Sequence, residues 1–436
     1  MLRVAKVRSG GHTYYLEVAA GTGTGIEAPG RWMGEGASLL ALSGTVDAAA
    51  LAAVLAGEDP ATGQVLGTAR SRVRVAGFDL TFSAPKSVSV LHALGDPEVV
   101  DAVAAGHDEA VRAALSYVER RALAVRRPAP SAPVPVPTAV DAVPAAGFAH
   151  RLSRALDPHL HTHVVVANLG RGPEGGWSAL DGRGVYAHAS ATDALYHVHL
   201  RYELSRRLGV SWDPPDRGRS DIAGIGGEVR QEFSRRAAEI AAHLAERQLG
   251  SGRAKTVAGL ATRTEKDLFL GADELRPQWE DRARAVGFGP RRLEAVLDRL
   301  PHRATDVGPG LDTAHGLEAT VTEVLGTLHR DVSRRDAVRA FSRSLSEGAP
   351  AAAVEEAADR FLDSMRPERG RRGERDGPGV AERRHEIPCP ALERQTETDR
   401  RRAGHERAEM ARLLADRGMQ IDHSAERTPG LGMGIG

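Results

Sequence analysis

The feature that most constrains the fold of this chain is a run of alternating histidines that leads directly into valines. Residues 154–172 read RALDPHLHTHVVVANLGRG. Side chains at positions i and i+2 share one face of a strand, so His161 and His163 point the same way and Thr162 points the other way. His159 has the same parity but follows a proline, so we expect it at the rim of that face. The valine run predicts that the strand continues into a buried part of a sheet.

A second strand is predicted around 146–153, and the Asp-Pro pair at 157–158 marks a turn between the two. An antiparallel return through that turn brings His150 beside His161 and His163. Three neutral imidazoles leave coordination positions open for water or substrate, as a catalytic metal site requires. The alternative is that the histidines are ordinary polar residues on a solvated sheet face, but His150 and the buried valines favour a metal.

The composition excludes several classes of protein. The 436 residues are enough for two or three domains, and the formal net charge is zero. A single cysteine rules out an internal disulfide and a cysteine-rich zinc module. The sequence has neither an apolar run long enough to span a membrane nor a signal-peptide pattern at its start, so we expect a cytoplasmic protein.

The N-terminal part mixes predicted strands and helices. Residues 72–82, RVRVAGFDLTF, alternate in hydrophobicity and predict a strand. A helix is expected to start near Pro85, followed by a long amphipathic helix over 96–123. The proline- and alanine-rich residues 127–144 predict a loop that cannot form an internal strand.

Downstream, helices dominate the prediction. Residues 190–193, SATD, resemble a capping box that opens a helix ending at Gly209. A further helix ending at Gly250 is indicated by one apolar face, made of Phe233, Ala237, Ile240 and Leu244. More helical stretches follow over 272–363. From Arg366 the sequence is highly charged and broken by glycines, which predicts disorder.

Residues 150–163, HRLSRALDPHLHTH, resemble the three-histidine motif of conjugative relaxases of the TrwC/TraI (MobF) type, members of the HUH endonuclease superfamily. The histidine intervals, the SRALDP linker and the valine run all match. The resemblance implies that His150, His161 and His163 hold a divalent metal ion, magnesium or manganese, with zinc or nickel as alternatives. It also implies an α+β fold, a central antiparallel sheet with flanking helices.

The stretch FDLTFSAPKSVS (78–89) resembles a second motif of this family. Asp79 should face away from Phe78 and Leu80. The resemblance gives Asp79 one of two roles, to orient a metal-binding histidine or to accept the proton of the nucleophile. The alternative is an aspartate in solvent at a strand end. Lys86 is expected either to meet phosphate or to lie in water at a helix N-terminus.

The stretch GGHTYYLEVA (10–19) supplies the nucleophile in this resemblance. The family uses the first tyrosine of such a pair, which corresponds to Tyr14, and Tyr15 is then the adjacent packing partner. A tyrosine hydroxyl is a weak nucleophile at neutral pH because its pKa is about 10, so metal polarisation of the phosphate and a nearby acceptor are needed. Relatives often carry a second tyrosine pair, but residues 19–30 contain no tyrosine.

The resemblance covers about residues 1–300, including APGRWMGEGASLLALSG (28–44). It predicts a relaxase domain over 1–300, and the sequence pattern beyond it predicts a helical extension over 301–365 and a disordered tail over 366–436. The phosphate-binding loop G-x-x-x-x-G-K-[ST] of the helicase part is absent from the sequence, so we expect a relaxase without its helicase and no nucleotide cofactor.

The predicted function is site- and strand-specific nicking of single-stranded DNA at a transfer origin, through a 5′-phosphotyrosine that allows strand transfer. Accessory DNA-processing and coupling proteins are expected partners, and a membrane is not. The predicted DNA contacts are Tyr15, Arg31, Trp32, Lys86 and Arg154. A metal-dependent hydrolase with water as nucleophile is one alternative. Another is a DNA-binding remnant that has lost cleavage and binds DNA through Arg31, Trp32, Arg201, Arg206 and Arg207.

Overall fold

The fold is known from a computed structural model. The structure describes residues 2–8, 13–19, 28–67, 75–128, 134–215, 219–247, 258, 271–297, 314–326 and 332–365. The strands are β1 (Leu2–Arg8), β2 (Arg31–Met33), β3 (Val75–Ser83), β4 (Ala124–Arg127), β5 (Val136–Ala139), β6 (Ala145–Leu152), β7 (Pro158–Ala167), β8 (Gly170–Arg171) and β9 (Trp177–Ser178). The helices are α1 (Thr13–Ala19), α2 (Glu35–Leu39), α3 (Ala48–Ala56), α4 (Lys86–Leu94), α5 (Pro97–Arg121), α6 (Arg183–Leu208), α7 (Gly227–Glu232), α8 (Arg235–Glu246), α9 (Ala272–Ala285), α10 (Pro290–Val296), α11 (Ala314–Gly326), α12 (Arg334–Ser344) and α13 (Ala351–Ser364).

A five-stranded sheet in the order β1-β3-β7-β6-β2 forms the centre of the fold. Every neighbouring pair in it is antiparallel. The valine run lies in the middle strand, and its side chains are buried on both faces: Val164 and Val166 pack on one side, Val165 on the other. The predicted α+β fold with a central antiparallel sheet and flanking helices is confirmed.

The β6–β7 hairpin has the predicted antiparallel pairing. His150 lies directly opposite His161, and Phe148 lies opposite His163. The connection runs over 153–157, and Pro158 is already the first residue of β7. Leu156 adopts a left-handed conformation with φ 55°, which non-glycine residues rarely occupy and which neighbouring structure must therefore hold in place.

Helices cover both faces of the sheet. On one face α4, α5 and α6 pack against Phe82, Val164 and Val166, while α1 and α3 pack on the face that carries the histidines. The long helix expected over 96–123 is confirmed as α5, which begins where the Asp96 side chain accepts a hydrogen bond from Val99 N at 3.0 Å. The helix expected from Pro85 is confirmed as α4.

The capping box predicted at 190–193 is wrong. Helix α6 begins at Arg183, so Ser190 lies inside it. The Asp193 carboxylate instead accepts a hydrogen bond from Leu2 N at 2.6 Å, which anchors β1 to α6. The predicted end of this helix is confirmed, because Gly209 is its C-cap in the left-handed conformation at φ 65°.

Two other predictions differ in detail from the structure. Part of the expected loop over 127–144 forms β5, which pairs with β4 in a separate two-stranded ribbon. Both strands of such a ribbon are edges, where Pro137 is tolerated. The apolar face that was assigned to one helix is divided, because α7 ends with Phe233 as its C-cap and α8 starts at Arg235.

Arg201 is 2% exposed, and its Nη2 donates to the carbonyls of Ser342 and Leu345 at 2.9 and 2.8 Å. Arg201 therefore fastens α12 to α6, and its assignment as a DNA contact in the binding-remnant alternative is wrong. Arg206 and Arg207 both donate to the Glu203 carboxylate.

The chain divides into two compact units, Met1–Ser234 with Asp267–Pro367, and Arg235–Lys266 with Glu368–Gly436. The first contains the sheet together with α12 and α13, and in the second the structure describes α8. The domain boundaries at 300 and 365 stay predictions, and the tail over 366–436 lies outside the described residues. Within the described part of the chain, no helix combines the length and apolar character needed to cross a membrane.

Candidate active site

The three predicted histidines form a compact cluster on one face of the sheet. The ring centroids of His150, His161 and His163 are 5.2 Å apart in all three pairs. Each ring offers one nitrogen, and these nitrogens all lie within 4.8 Å of one another. His150 is buried, and His161 and His163 are half-buried.

Hydrogen bonds on the outer side of the cluster set which ring nitrogens are available. His161 Nδ1 lies 2.8 Å from the carbonyl oxygen of His159, and His163 Nδ1 lies 3.0 Å from both oxygens of the Asp79 carboxylate. A carbonyl and an ionised carboxylate can only accept, so each Nδ1 carries the hydrogen and each Nε2 keeps its lone pair. Metal-binding imidazoles are oriented in this way in known sites, so the donor set fits a divalent metal.

Asp79 is almost fully buried and accepts hydrogen bonds from three side chains. Tyr15 Oη donates at 2.8 Å, Thr81 Oγ1 at 3.2 Å, and His163 supplies the third bond. A buried carboxylate is costly unless it is satisfied in this manner. The arrangement favours the first predicted role of Asp79, to orient a metal-binding histidine, over an aspartate in solvent.

The two adjacent tyrosines of α1 point to different surroundings. Tyr14 is 37% exposed, and its hydroxyl lies 3.3 Å from His150 Nε2. Tyr15 is 7% exposed and packs on Phe148, with ring centroids 5.5 Å apart. Burial, reinforced by the Asp79 charge, raises the pKa of Tyr15 far above its ordinary value. Tyr14 is thus the hydroxyl that faces both the histidines and solvent.

His159 and Lys86 have structural partners. The His159 ring stacks on His161 with centroids 4.5 Å apart, and burial lowers its pKa well below the ordinary value. Lys86 Nζ donates to the carbonyl of Pro158 at 2.7 Å, and burial lowers the pKa of Lys86 to about 8. The Lys86 ammonium therefore supports the start of β7, and a phosphate contact for it stays a prediction.

The remaining predicted DNA contacts lie at the sheet edge and in a turn. Arg31 and Trp32 are in β2, the edge strand, with Arg31 exposed and Trp32 half-buried. Arg154 lies in the 153–157 connection, half-buried. The structure does not bring Arg31, Trp32 and Arg154 into the histidine cluster, and their contacts with DNA stay predictions.

Sequence reasoning missed two groups of residues near the site. Thr81, which bonds to Asp79 and lies 3.2 Å from His163 Nδ1, was detectable because it shares the strand face of Asp79. On the opposite sheet face, His107 bonds to Thr162 at 2.9 Å and to Tyr196 at 2.8 Å. That link ties β7 to α5 and α6, and no local pattern indicates it.

Comparisons with known proteins agree with this geometry. A family model described as TrwC relaxase matches residues 4–286. The multifunctional conjugation protein TraI of Escherichia coli (strain K12) is 30% identical over an alignment of 351 residues that covers 75% of this chain and 19% of TraI. This chain therefore matches about a fifth of the length of that relative.

Solved structures show the same likeness. The metal-bound structure of the conjugative relaxase TrwC in complex with OriT DNA has a TM-score of 0.59 and 28% identity, covering 66% of this chain and 99% of that chain. TrwC complexed with a 27-mer DNA comprising the recognition hairpin and the cleavage site has a TM-score of 0.57 and 29% identity, with the same coverage.

Proposed function

This chain belongs to the TrwC relaxase family, and from that premise we propose that it nicks one strand of DNA at a specific site to start conjugative transfer. The observation that carries the proposal is the position of Tyr14, a solvent-accessible hydroxyl 3.3 Å from a ring nitrogen of the three-histidine cluster. The relatives whose structures contain OriT DNA support DNA as the substrate.

The reaction proposed is a transesterification. The Tyr14 oxygen attacks the scissile phosphorus, the new phosphorus–oxygen bond forms as the bond to the 3′-oxygen breaks, and the tyrosine gives up its proton while the leaving 3′-oxygen gains one. The product is a 5′-phosphotyrosine and a free 3′-hydroxyl. Because one phosphoester replaces another, rejoining or transfer to a second strand needs no ATP.

His150, His161 and His163 would hold the divalent ion through ring nitrogens. When bound, such an ion neutralises negative charge that develops on the phosphate oxygens. The resemblance to relaxases predicts magnesium or manganese, whereas three imidazole donors also suit zinc or nickel. The metal-bound structure of the relaxase TrwC supports a metal ion in this proposal.

Asp79 acts in this proposal as a positioning residue. Its carboxylate holds the hydrogen of His163 on Nδ1, so Nε2 keeps the lone pair with which it would hold an ion. Tyr15 and Thr81 complete the hydrogen bonds of the carboxylate and keep it in place. Asp79 contacts Tyr15 rather than Tyr14, which favours orientation of a histidine over proton transfer from the nucleophile.

We further propose a cytoplasmic relaxase domain over 1–300, a helical extension over 301–365 and a separate tail over 366–436. The substrate is single-stranded DNA at a transfer origin, with accessory DNA-processing and coupling proteins as partners. TraI relatives named as conjugation proteins support this assignment. The matched region is a small part of those relatives, so the proposal concerns the nicking step.

The test is a nicking assay on labelled single-stranded oligonucleotides that tile the DNA flanking the gene. We expect one oligonucleotide to be cleaved at one position, and excess EDTA to stop cleavage.

His161→Ala should abolish cleavage and keep most DNA affinity, because the metal serves chemistry whereas binding depends on contacts with the charged phosphate backbone of the DNA. His159→Ala, in the same strand but outside the nitrogen cluster, is the matched control and should retain cleavage.

Undiminished nicking in excess chelator would contradict the metal assignment. A folded chain that binds the oligonucleotides and cleaves none of them, in the presence of each of the four metals, would leave the DNA-binding remnant as the function. Cleavage without any protein–DNA adduct would instead indicate a hydrolase that uses water.

A further inference from the structure

The side chain between two of the three clustered histidines is held from the opposite face of the sheet. Thr162 lies between His161 and His163 in β7, so it points to the other face. It is 5% exposed, and its hydroxyl oxygen lies 2.9 Å from Nε2 of His107 in α5. Consecutive side chains of a strand share one backbone, so a shift or tilt at Thr162 also moves both histidines.

His107 has both of its ring nitrogens engaged inside the protein. It is 1% exposed, and its Nδ1 lies 2.8 Å from the hydroxyl oxygen of Tyr196 in α6. Burial lowers the pKa of His107 to about 3, so the ring is neutral and offers one donor and one acceptor. The hydroxyls of Thr162 and Tyr196 can each donate or accept, so either tautomer is satisfied. Removing either hydroxyl would leave a buried nitrogen unpaired, which costs free energy.

Tyr196 is fixed in turn by the sheet. Its ring is fully buried and packs on Phe82 of β3, with ring centroids 5.4 Å apart. Phe82 is also the cross-strand partner of Thr162. Thr162, His107 and Tyr196, which we call the His107 link, therefore connect β7 to α5 and α6, and Phe82 closes the connection back to the sheet.

The His107 link borders a part of the interior that side chains do not fill. A cavity of about 590 Å³ lies between α5 and the sheet face that carries Thr162, and its lining includes His107, Thr162, Gly147 and Ala149. Ala149 of β6 is the second cross-strand partner of Thr162. Space beside these small residues means that β7 has fewer van der Waals contacts with α5 along this stretch. The bond between His107 and Thr162 is a defined contact between the helix and the strand at this place.

We propose that His107 is a positioning residue for the three-histidine cluster and that it acts through Thr162. A metal site needs its ligand atoms held to within about 0.5 Å, by residues that packing and hydrogen bonds fix in place. Asp79 orients the ring of His163 on the face that carries the histidines, and the His107 link fixes the backbone of β7 from the opposite face. This inference rests on the proposed function in one respect, that the cluster binds a divalent metal ion.

The experiment measures the binding of cobalt(II) by the full chain, because the visible absorption of cobalt(II) reports both its affinity and the arrangement of its ligands. Tyr196→Phe and Thr162→Val each remove one hydroxyl of the His107 link and nearly keep the shape of the side chain. We expect each variant to weaken cobalt(II) binding about tenfold, the lower end of the effect of losing an outer partner of a metal ligand, and to change the absorption spectrum. His107→Gln keeps a donor and an acceptor, so it should retain more affinity than His107→Leu.

Tyr117→Phe is the matched control. Tyr117 is fully buried, and its hydroxyl oxygen lies 2.9 Å from Nδ1 of His188, so this pair also joins α5 to α6 through a tyrosine and a histidine. The hydrogen bond of this pair does not involve β7. Tyr117→Phe should therefore lower the free energy of unfolding in urea, as Tyr196→Phe does, and leave cobalt(II) affinity unchanged.

Two results would overturn the positioning role of His107. One is an equal loss of cobalt(II) affinity in Tyr117→Phe and Tyr196→Phe, because the loss would then reflect a general loosening of α5 and α6. The other is wild-type affinity and a wild-type absorption spectrum in folded Tyr196→Phe and Thr162→Val.

Failure of this proposal and failure of the proposed function give different results. If the wild-type chain nicks its oligonucleotide and the variants of the His107 link bind cobalt(II) normally, the positioning proposal falls and the nicking function stands. If the wild-type chain binds cobalt(II) but cleaves no DNA, the nicking function falls, and the same variants still decide the positioning role. A wild-type chain that binds no cobalt(II) would overturn the metal assignment and this proposal with it.

Discussion

At the scale of single residues, the site separates two tyrosines that are neighbours in sequence. Tyr14 faces the histidines and solvent, and Tyr15 is buried on Asp79. The hydroxyl groups of these two tyrosines therefore have different surroundings, although they lie within one helical turn. Tyr14 is the proposed nucleophile, and Tyr15 donates a hydrogen bond to the carboxylate that contacts His163.

Asp79→Asn is predicted to weaken metal binding by about 10–100-fold, the usual cost of losing an outer hydrogen-bond partner of a metal ligand. An amide can donate to His163 Nδ1, which would move the ring hydrogen to Nε2 and remove the lone pair that faces the ion. Calorimetric titration of the folded variant with manganese or zinc measures the effect. Asp101→Asn, an equal charge change at an exposed position of α5, serves as the control. Unchanged metal affinity in folded Asp79→Asn would refute the positioning role.

At the scale of elements, the β6–β7 hairpin sets the geometry of the histidines, and α9 holds its turn. Trp279 Nε1 donates to the carbonyl of Leu156 at 3.0 Å, and Arg282 Nη2 pairs with Asp157 at 3.0 Å. Asp157 is 1% exposed, so its charge is satisfied inside the protein. The strained backbone at Leu156 is thus fixed by side chains more than a hundred residues away.

Arg282→Ala is predicted to destabilise the protein by about 3 kcal/mol, because removing one partner of a buried ion pair leaves an uncompensated charge. Arg284→Ala in the same helix removes an arginine whose side chain is 55% exposed, and should cost less than about 1 kcal/mol. Urea denaturation gives both free energies of unfolding. An equal loss of unfolding free energy in the two variants would show that α9 does not support the turn between β6 and β7 through Arg282.

The accuracy of sequence reasoning followed the range of the interactions involved. Alternation along one strand and a turn signal were enough to predict the pairing of His150 with His161, because both are local. The capping box at 190–193 failed because α6 already begins at Arg183, and Asp193 instead binds Leu2 N, 191 residues away in sequence. Arg201 looked like a surface cation, and its burial depends on carbonyls of α12 and the residue that follows it. The Tyr15–Asp79 bond likewise joins elements whose contact no local pattern encodes.

At the scale of the whole molecule, the proposed chemistry is confined to the first part of the chain. Tyr14, Asp79 and the three histidines come from α1, β3, β6 and β7. The last described helix, α13, packs in the same compact unit and ends at Ser364. We therefore expect the nicking step to need no residue beyond that helix.

Deletion of residues 366–436 is predicted to leave nicking at the wild-type rate. The reason is that every group proposed for chemistry, and the helices that support them, lie before the deletion. The measurement is the initial rate of cleavage of the target oligonucleotide by the truncated and full chains. A truncated protein that is folded by circular dichroism yet inactive would show that the tail contributes to the reaction.

The central claim, that Tyr14 is the nucleophile, is tested most directly by trapping the covalent product. The oligonucleotide that the wild-type chain cleaves is incubated with Tyr14→Phe and with Tyr15→Phe, and a denaturing gel separates free protein from protein joined to DNA. Tyr14→Phe removes one oxygen and keeps the ring, so we expect DNA binding without any adduct, whereas Tyr15→Phe should still form the adduct. If Tyr14→Phe forms the adduct and Tyr15→Phe does not, the assignment is wrong by one residue, and if both form it, the nucleophile lies elsewhere in the chain.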